Sequence, residues 1–446
     1  MKRPAHTAAA TPNLRHLVLF DQVARRGSVS AAARAAHLSQ PAVTQAVSHI
    51  EAALGARLMQ RSYSGLALTG AGHAAAARIE RALQMLREAL AAVRSRPAGA
   101  GAADVLSGIT STQLHALIAV VEEGAFARAA RRAGRARAAV HRAARQLEKS
   151  LGVELFEVTS FGVRPTREAE KLALRSRLAF AEIVQAQAEV AAAEGTGSGS
   201  TTVGAMPLAR SVLVARAVLE FAQVRPEHAI SILDGPYESM LTALRRGSAD
   251  VLVGALRDPL PYDDIVQEHL FDDPLAIVVG AQHPLAAGGA PTLAALAQFP
   301  WIAPRRGSPL RRNFDALMAR LNGHPAVAPI ECNSLVAARS MLLASERVML
   351  LSEHQIHHEL ETGQLVSLPH PFGAVTRSIG LTVRRGWRPT EVQAQLVEGL
   401  RRHARAAASA RHVKGGRLAA AAGAGVAARS LSAAEIRAPD TAAGGS

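Results

Sequence analysis

Apolar residues in "LSQPAVTQAVSHIEAALG", Leu38 to Gly55, recur as Val43, Val47, Ile50 and Leu54, at spacings of four, three and four. That period predicts a helix with one buried stripe. Gln40, Pro41, Thr44, Gln45 and Ser48 fall on the opposite face, an uncharged polar row. Ser39 stands where a hydroxyl can cap the helix, and Pro41 falls in the first turn, where a missing N–H does no harm. Upstream, "SVSAAARAAHL" predicts a short helix whose Ala32, Ala33 and Ala36 let another helix cross closely. The turn His37-Leu38-Ser39 joins the two as a helix-turn-helix. Downstream, "ARLMQRSYSGLALT" reads as strand, turn and strand around Ser64-Gly65, a wing carrying Arg61 and Tyr63. Then Ile79, Leu83, Leu86 and Leu90 mark a long helix with an apolar stripe suited to pairing with another helix.

The same pattern returns 97 residues later. Leu17–Gly72 and Leu114–Ala169 align without a gap, and 16 of 56 positions are identical, among them Gly27/Gly124, Glu51/Glu148, Gly55/Gly152 and Thr69/Thr166. Matched glycines and leucines at one constant offset indicate duplication. The copy keeps the scaffold and rewrites the polar row. Ser39 becomes Ala136, Pro41 becomes Ala138, and the outward positions become Arg137, Ala138, His141, Arg142 and Arg145. With Arg128, Arg131, Arg132 and Arg135 they form a dense cationic face. Three readings are open: arginines selecting guanine, a sequence-tolerant phosphate surface, or a vestigial fold kept for its pairing helix, Arg167 to about Glu194.

After the linkers "RSRPAGAGAAD" and "GTGSGS", short β-type runs alternate with helical patterns from Thr201 to about Arg405. "TTVGAM", "AISILDG", "ADVLVGAL", "LAIVVG", "VMLLS" and "SIGLTVR" are the expected strands. The fold class expected is an α/β two-lobed C-terminal domain preceded by two mainly α winged helix-turn-helix segments. Its parts are a winged helix at 14–72, a linker helix at 73–96, a degenerate winged helix at 109–169 and a second linker helix at 170–194. Next come a two-lobed body at 201–405 and a disordered tail at 406–446. Lobe I takes about 201–271 and 377–405, and lobe II about 272–376.

Charge sharpens this. Residues 1–110 carry 13 basic and 5 acidic side chains, whereas residues 201–405 carry 20 and 19. A basic front on a balanced body points to a polyanion partner at the N-terminus. Short uncharged donors and acceptors at the start of a major-groove helix can read base edges, where charges would hold phosphate without discriminating sequence. The single cysteine, Cys332, excludes internal disulfides and cysteine-based zinc sites. No apolar run approaches the roughly 18 residues of a membrane span, and "MKRPAHTAAATPN" lacks a secretory apolar core. A cytoplasmic protein without membrane partner is expected. No nucleophile elbow, P-loop, HExxH or C-x-x-C stands in the chain, so no enzyme, cofactor or metal is expected. His354, His357, His358 and Glu359 cluster, but neighbouring helical positions point apart.

Residues 14–96 resemble the winged helix-turn-helix and linker helix of LysR-type transcriptional regulators. The resemblance is carried by Phe20, Val23, Gly27, Ser28, Ala32, Ala33, Leu38 to Val43, Ile50-Glu51, Leu54-Gly55, Leu58, Arg61 and Leu68-Thr69. It implies base and backbone contacts to double-stranded DNA from Gln40, Pro41, Thr44 and Gln45, beside Ser39 and Ser48, and a wing contact from Arg61. The family's wing usually has another arginine before its glycine, and here that place is Ser64. In the copy, Arg137, His141, Arg142 and Arg145 are weaker candidates. The body resembles the family's periplasmic-binding-protein-like effector domain, most closely in "GPYESMLTALRRGSADVLVGALRDP".

Ligands of α/β domains sit at the carboxyl ends of strands, near helix N-termini. That rule points to Leu208 to Ser211, Ala255 to Arg257, Arg305 to Ser308 and Asn333-Ser334, with Leu208, Arg210, Ser211, Leu256, Arg305, Ser308, Asn333 and Ser334 as effector contacts. Arginines suit an anionic group, and the hydroxyls and the amide a hydroxylated one. "GAMPLARS" and "DGPYESML" are similar to regulators linked to sugar or aromatic catabolism, so the effector class stays open between sugar-like, aromatic and carboxylate. The resemblance further implies RNA polymerase as partner of an activator, and a homo-oligomer, dimer or tetramer. A doubled winged helix is not the family's usual arrangement. The flexible first linker implies a second head tethered at high effective concentration without fixed geometry. The alternatives are an architectural DNA-binding protein without effector, or a receptor or enzyme on the same two-lobed fold.

Overall fold

The structure is a computed structural model that describes residues 12–63, 65–94, 105–160, 162–196, 199–206, 212–321 and 327–421, with side chains through residue 407, that of residue 107 excepted. Its first half is the duplication made solid. Helices α1 (Leu14–Arg26), α2 (Val29–Ala35) and α3 (Gln40–Leu54), wing strands β1 (Met59–Ser62) and β2 (Gly65–Leu68), and the long α4 (Gly70–Val93) make the first copy. The second follows as α5 (Ser111–Glu123), α6 (Phe126–Ala133), α7 (Arg137–Leu151), β3 (Phe156–Thr159), β4 (Gly162–Pro165) and α8 (Arg167–Ala193). Helices α3 and α7, and both wing hairpins, keep the offset of the sequence to the residue.

Local physics repeats with them. Gly27 ends α1 in the left-handed region that glycine favours, and its carbonyl accepts the Leu66 N–H, tying the wing to the helix end. Glu51 reaches from the end of α3 and accepts the backbone N–H of Leu58 at 2.8 Å and of Met59 at 3.2 Å. Glu148 does the same for Leu155 and Phe156 at 2.8 and 3.1 Å. Ser39 holds the N-cap position of α3, but its side chain makes no cap hydrogen bond, which corrects the expected use of that hydroxyl.

The expected loose tether is corrected too. The two copies share one hydrophobic core running from Leu14 to Val190. Helices α4 and α8 pack along each other, and Ala75, Ile79, Leu83, Leu86 and Leu90 of the first and Leu172, Ala179, Phe180, Ile183 and Val190 of the second are all buried in that common core. At the helix starts, Leu14 N–H donates to Ser111 Oγ at 2.9 Å, and these two residues are each other's counterparts in the repeat. The second head is therefore held in fixed geometry. Residues 95–104 of the intervening linker lie outside the described residues.

The body begins earlier than the linker pattern suggests. Gly199 and Ser200 of "GTGSGS" are already in β5 (Gly199–Ala205), and residues 197–198 lie outside the described residues. Helix α9 (Leu213–Val224), β6 (His228–Leu233), α10 (Tyr237–Arg245) and β7 (Val251–Ala255) follow. Strand β8 (Ile265–Gly280) is continuous through both lobes. Lobe II holds α11 (Leu293–Ala297), β9 (Trp301–Ala303), α12 (Pro309–Arg320), β10 (Ile330–Glu331), α13 (Leu335–Leu343), β11 (Val348–Ser352), α14 (His357–Glu361) and β12 (Leu365–Leu368) around one apolar cluster centred on Trp301 and Phe314. Strand β13 (Thr376–Arg384) returns, and α15 (Glu391–Ala421) closes lobe I.

The lobe I sheet is mixed. Strands β6, β5 and β7 are parallel, but β13 runs antiparallel to both β7 and β8. Each of the six strand runs read from the sequence falls on a strand, with "TTVGAM", "AISILDG" and "ADVLVGAL" running one or two residues past its ends. The tail expected from residue 406 begins as helix, because α15 runs to Ala421, and residues 422–446 lie outside the described residues.

Candidate nucleic-acid interface and effector cleft

On α3, Val43, Val47, Ile50 and Leu54 are buried, while Gln40, Pro41, Thr44, Gln45 and Ser48 are exposed. The uncharged row is thus one continuous solvent-facing surface at the start of the helix. Arg61 on β1 is exposed and has no ion pair among the described residues. Tyr63 at the wing tip is fully exposed, and Ser64 lies outside the described residues.

The copy divides its arginines. Arg131, Arg135, Arg137 and Arg142 are exposed and unpaired among the described residues. Arg132 pairs with Glu122 and Glu123, both at 2.8 Å, and Arg128 donates to the Glu123 carbonyl. Arg145, expected in the outward row, is half-buried and 2.8 Å from Glu148, the carboxylate that anchors the wing. It belongs to the scaffold. His141 is exposed, with its ring edge against Phe126 at 4.9 Å.

A cleft of about 1510 Å³ lies between the lobes. Arg305, Ser308, Asn333 and Ser334 line it on the lobe II side. Ser308 and Ser334 cap α12 and α13, accepting from Arg311 and Ala337 N–H. Two helix N-termini therefore open on the cleft, which favours negative charge. Arg305 is exposed and without an ion pair among the described residues. On the lobe I side Arg257 and Tyr237 face the cleft, the guanidinium 4.2 Å from the ring centroid. Burial pushes Arg257 below the ordinary arginine value and Tyr237 above the ordinary tyrosine value. Arg257 Nε is buried without a hydrogen-bond partner among the described residues.

Leu256 does not line the cleft. Its side chain turns toward Gly380 of β13, and its neighbours Ala255 and Arg257 face the cleft instead, because side chains alternate across an extended chain. Leu208, Arg210 and Ser211 lie outside the described residues. His357 and His358 also line the cleft, with His357 3.2 Å from Glu361. At the floor, Arg377 of β13 pairs with the fully buried Asp273 at 3.1 Å and donates to Gln355 at 2.9 Å, while Ser352 donates to Asp273 at 2.7 Å. That network joins the strands at the crossover between lobes.

Residues 14–73 and 111–170 each match the bacterial regulatory helix-turn-helix protein of the lysR family, and residues 194–405 match the LysR substrate binding domain. The chain belongs to the LysR family. The HTH-type transcriptional regulator GalR of Pseudomonas putida is 30% identical over 375 residues, covering 84% of this chain and 93% of that protein. PcaQ of Agrobacterium fabrum is 27% identical over 289 residues, covering 65% and 93%. Among solved structures, full-length OxyR from Pseudomonas aeruginosa is 22% identical, covers 66% of this chain and 94% of that one, and superposes with a TM-score of 0.49.

As a LysR-type transcriptional regulator the chain has a helix-turn-helix DNA-binding part, present twice, and an effector-binding domain of two α/β lobes. Its named relatives are transcriptional regulators. No helix among the described residues is long and apolar enough to cross a membrane. Several residues of this regulator were not singled out in the sequence. Tyr237, Gln355 and Arg377 reach the cleft from separate elements, and no local pattern marks them. Glu51 and Glu148 did carry a signal, since they are identical across the repeat.

Proposed function

We propose that the first winged helix reads operator sequence and that an anionic small molecule in the interlobe cleft controls it. Gln40, Pro41, Thr44, Gln45 and Ser48 meet base edges in the major groove, with Ser39 at the helix start and Arg61 on the wing beside the phosphate backbone. The observation that carries this reading is the row itself. In the most basic part of the chain, one helix keeps an exposed face free of charge.

The effector carries a carboxylate and a hydroxyl. Arg257, with its unpartnered Nε, and Arg305 hold the anion, and Asn333 and Ser334 hold the hydroxylated part. An aromatic ring stacks against the apolar lining. Lobe movement reaches DNA through the loop after β13. The carbonyls of Arg388 and Pro389 accept from Arg78 of α4, and that of Gly386 accepts from Arg81. Homo-oligomerisation is assigned to the body, where edge strand β6 exposes Ile232 and α9 exposes Leu219 and Val224. The regulator acts in the cytoplasm and meets RNA polymerase where it activates.

Selection of bound duplexes from random DNA tests the DNA half. Enrichment of a defined sequence is expected, and no enrichment contradicts it. Thermal-shift screening with hydroxylated carboxylates tests the effector half. A ligand should raise the unfolding temperature of the native chain and not of Arg257→Ala, and a library without any stabilising carboxylate contradicts it.

A further inference from the structure

We infer that one chain carries a complete pair of unlike DNA-contacting heads, so each chain spans two non-equivalent DNA segments: one read at the bases by α3, the other held at the phosphates by α7. This rests on the reading that α3 contacts DNA.

The first ground is covalent and packing continuity. Both heads grow from one apolar core, and the long helices that carry them, α4 and α8, are paired with each other. The apolar stripe of α4, Ile79, Leu83, Leu86 and Leu90, is already buried within the chain, where α8 is its main neighbour and α1 packs on it as well, so it offers no face to another chain's α4.

The second ground is the ionic complement of that pair. Arg78 of α4 is buried, 2.8 Å from Glu182 and 2.6 Å from Glu189 of α8, and Arg81 is 3.0 Å from Glu182. Burial disfavours the Arg78 charge, yet the hydrogen bonds it donates to Glu189 and Glu182 hold it above the ordinary arginine value. The repeat offset places Met85 and Ala92 where α8 has Glu182 and Glu189. An α4–α4 pair would therefore leave two buried guanidinium groups facing Met85 and Ala92, without a carboxylate. An α8–α8 pair keeps its charges matched through Arg175, the counterpart of Arg78, but it strands α4. Unlike helices pair best, so unlike heads sit side by side.

The third ground is chemical. The α3 face is uncharged, whereas α7 presents Arg137 and Arg142 with Arg131 and Arg135 beside it, all exposed and unpaired among the described residues. Arginines crowded at a helix start neutralise phosphates. Val158 takes the wing position of Arg61 in the second head, and that wing's arginine, Arg164, is paired with Glu157, so the hairpin presents an exposed apolar side chain where the first presents an unpaired cation.

A tethered chemical nuclease tests this on the full-length chain. Cys332→Ser removes the only thiol, and Gln45→Cys or Arg142→Cys then carries the cleaving group; both positions are exposed, so the fold is retained. On the duplex recovered from random DNA, the two labels should cut at separate, neighbouring places within one footprint. Base changes under the residue-45 cuts should lower affinity at least tenfold, and those under the residue-142 cuts less than threefold. No cutting from residue 142, or cutting at the same positions as residue 45, overturns the proposal. Recovery of no defined sequence would overturn the base-reading assignment instead. The comparison then runs on arbitrary duplex, where loss of residue-142 cutting still refutes the second head.

Discussion

Arg78 on α4 and Glu182 on α8 face each other at 2.8 Å inside the helix pair that joins the two winged helices. Arg78 also donates to the carbonyls of Arg388 and Pro389 in the body, so one buried guanidinium touches both heads' carrier helices and the effector domain. Removing one partner of a buried pair leaves the other charge uncompensated. Arg78→Met should destabilise the chain by about 3–5 kcal/mol, read as the chemical-denaturation midpoint. Replacing Glu189 by Leu in the same chain should recover part of the loss. An unchanged midpoint in Arg78→Met would show that the pair holds nothing together.

Glu51 and Glu148 anchor the two wings identically, each accepting two backbone N–H groups. Glu51→Ala and Glu148→Ala should each cost about 1.5–3 kcal/mol, the range for hydrogen bonds to a charged acceptor. Glu51→Ala should also weaken operator binding, because it frees the wing that bears Arg61. Thermal unfolding and operator titration of both variants provide the check.

The phosphate role of α7 is visible in salt dependence. Arg137→Ala with Arg142→Ala should flatten the slope of log affinity against log salt by about 0.9 per lost phosphate contact. Arg145→Ala should leave the slope unchanged and lower stability instead, since Arg145 is committed to Glu148. Titrations at four salt concentrations separate these outcomes.

Burial pushes His370 down from an ordinary value of 6.5 to about 4. Its Nδ1 accepts the Phe372 N–H, and the ring is buried. The unfolded chain binds this proton more readily than the folded one between pH 6.5 and 4. Stability therefore rises with pH across that window and is lost as pH falls through it. His115, His228 and His283 are pushed down by burial as well and act in the same direction. His370→Asn should show a shallower decline between pH 6.5 and 4 in urea-unfolding midpoints, and an equal decline would remove His370 from the account.

Much of the scaffold was legible because it is written in periods. Val43, Val47, Ile50 and Leu54 fix the buried side of α3, and the constant offset of 97 carries every element of the first copy onto the second. The partner of the α4 stripe was not legible. An apolar stripe says that a helix pairs and not with what, and Arg78 reads as any surface arginine until Glu182 and Glu189 stand opposite it. Helix periodicity likewise placed Arg145 on the outward face, but a carboxylate three residues on turned its guanidinium to the scaffold. In the cleft, strand-end reasoning found Arg305, Ser308, Asn333 and Ser334. It also marks the stretch Ala255 to Arg257, but within it Leu256 points away from the cleft, because side-chain direction at a strand end depends on register.

The most direct test of the central claim, that α3 reads bases, compares the native chain with Gln40→Ala and Thr44→Ala on the selected operator and on random duplex at one fixed salt concentration. Each substitution should cost about 1–3 kcal/mol on the operator and leave random-DNA affinity nearly unchanged. Equal losses on both duplexes would contradict the claim.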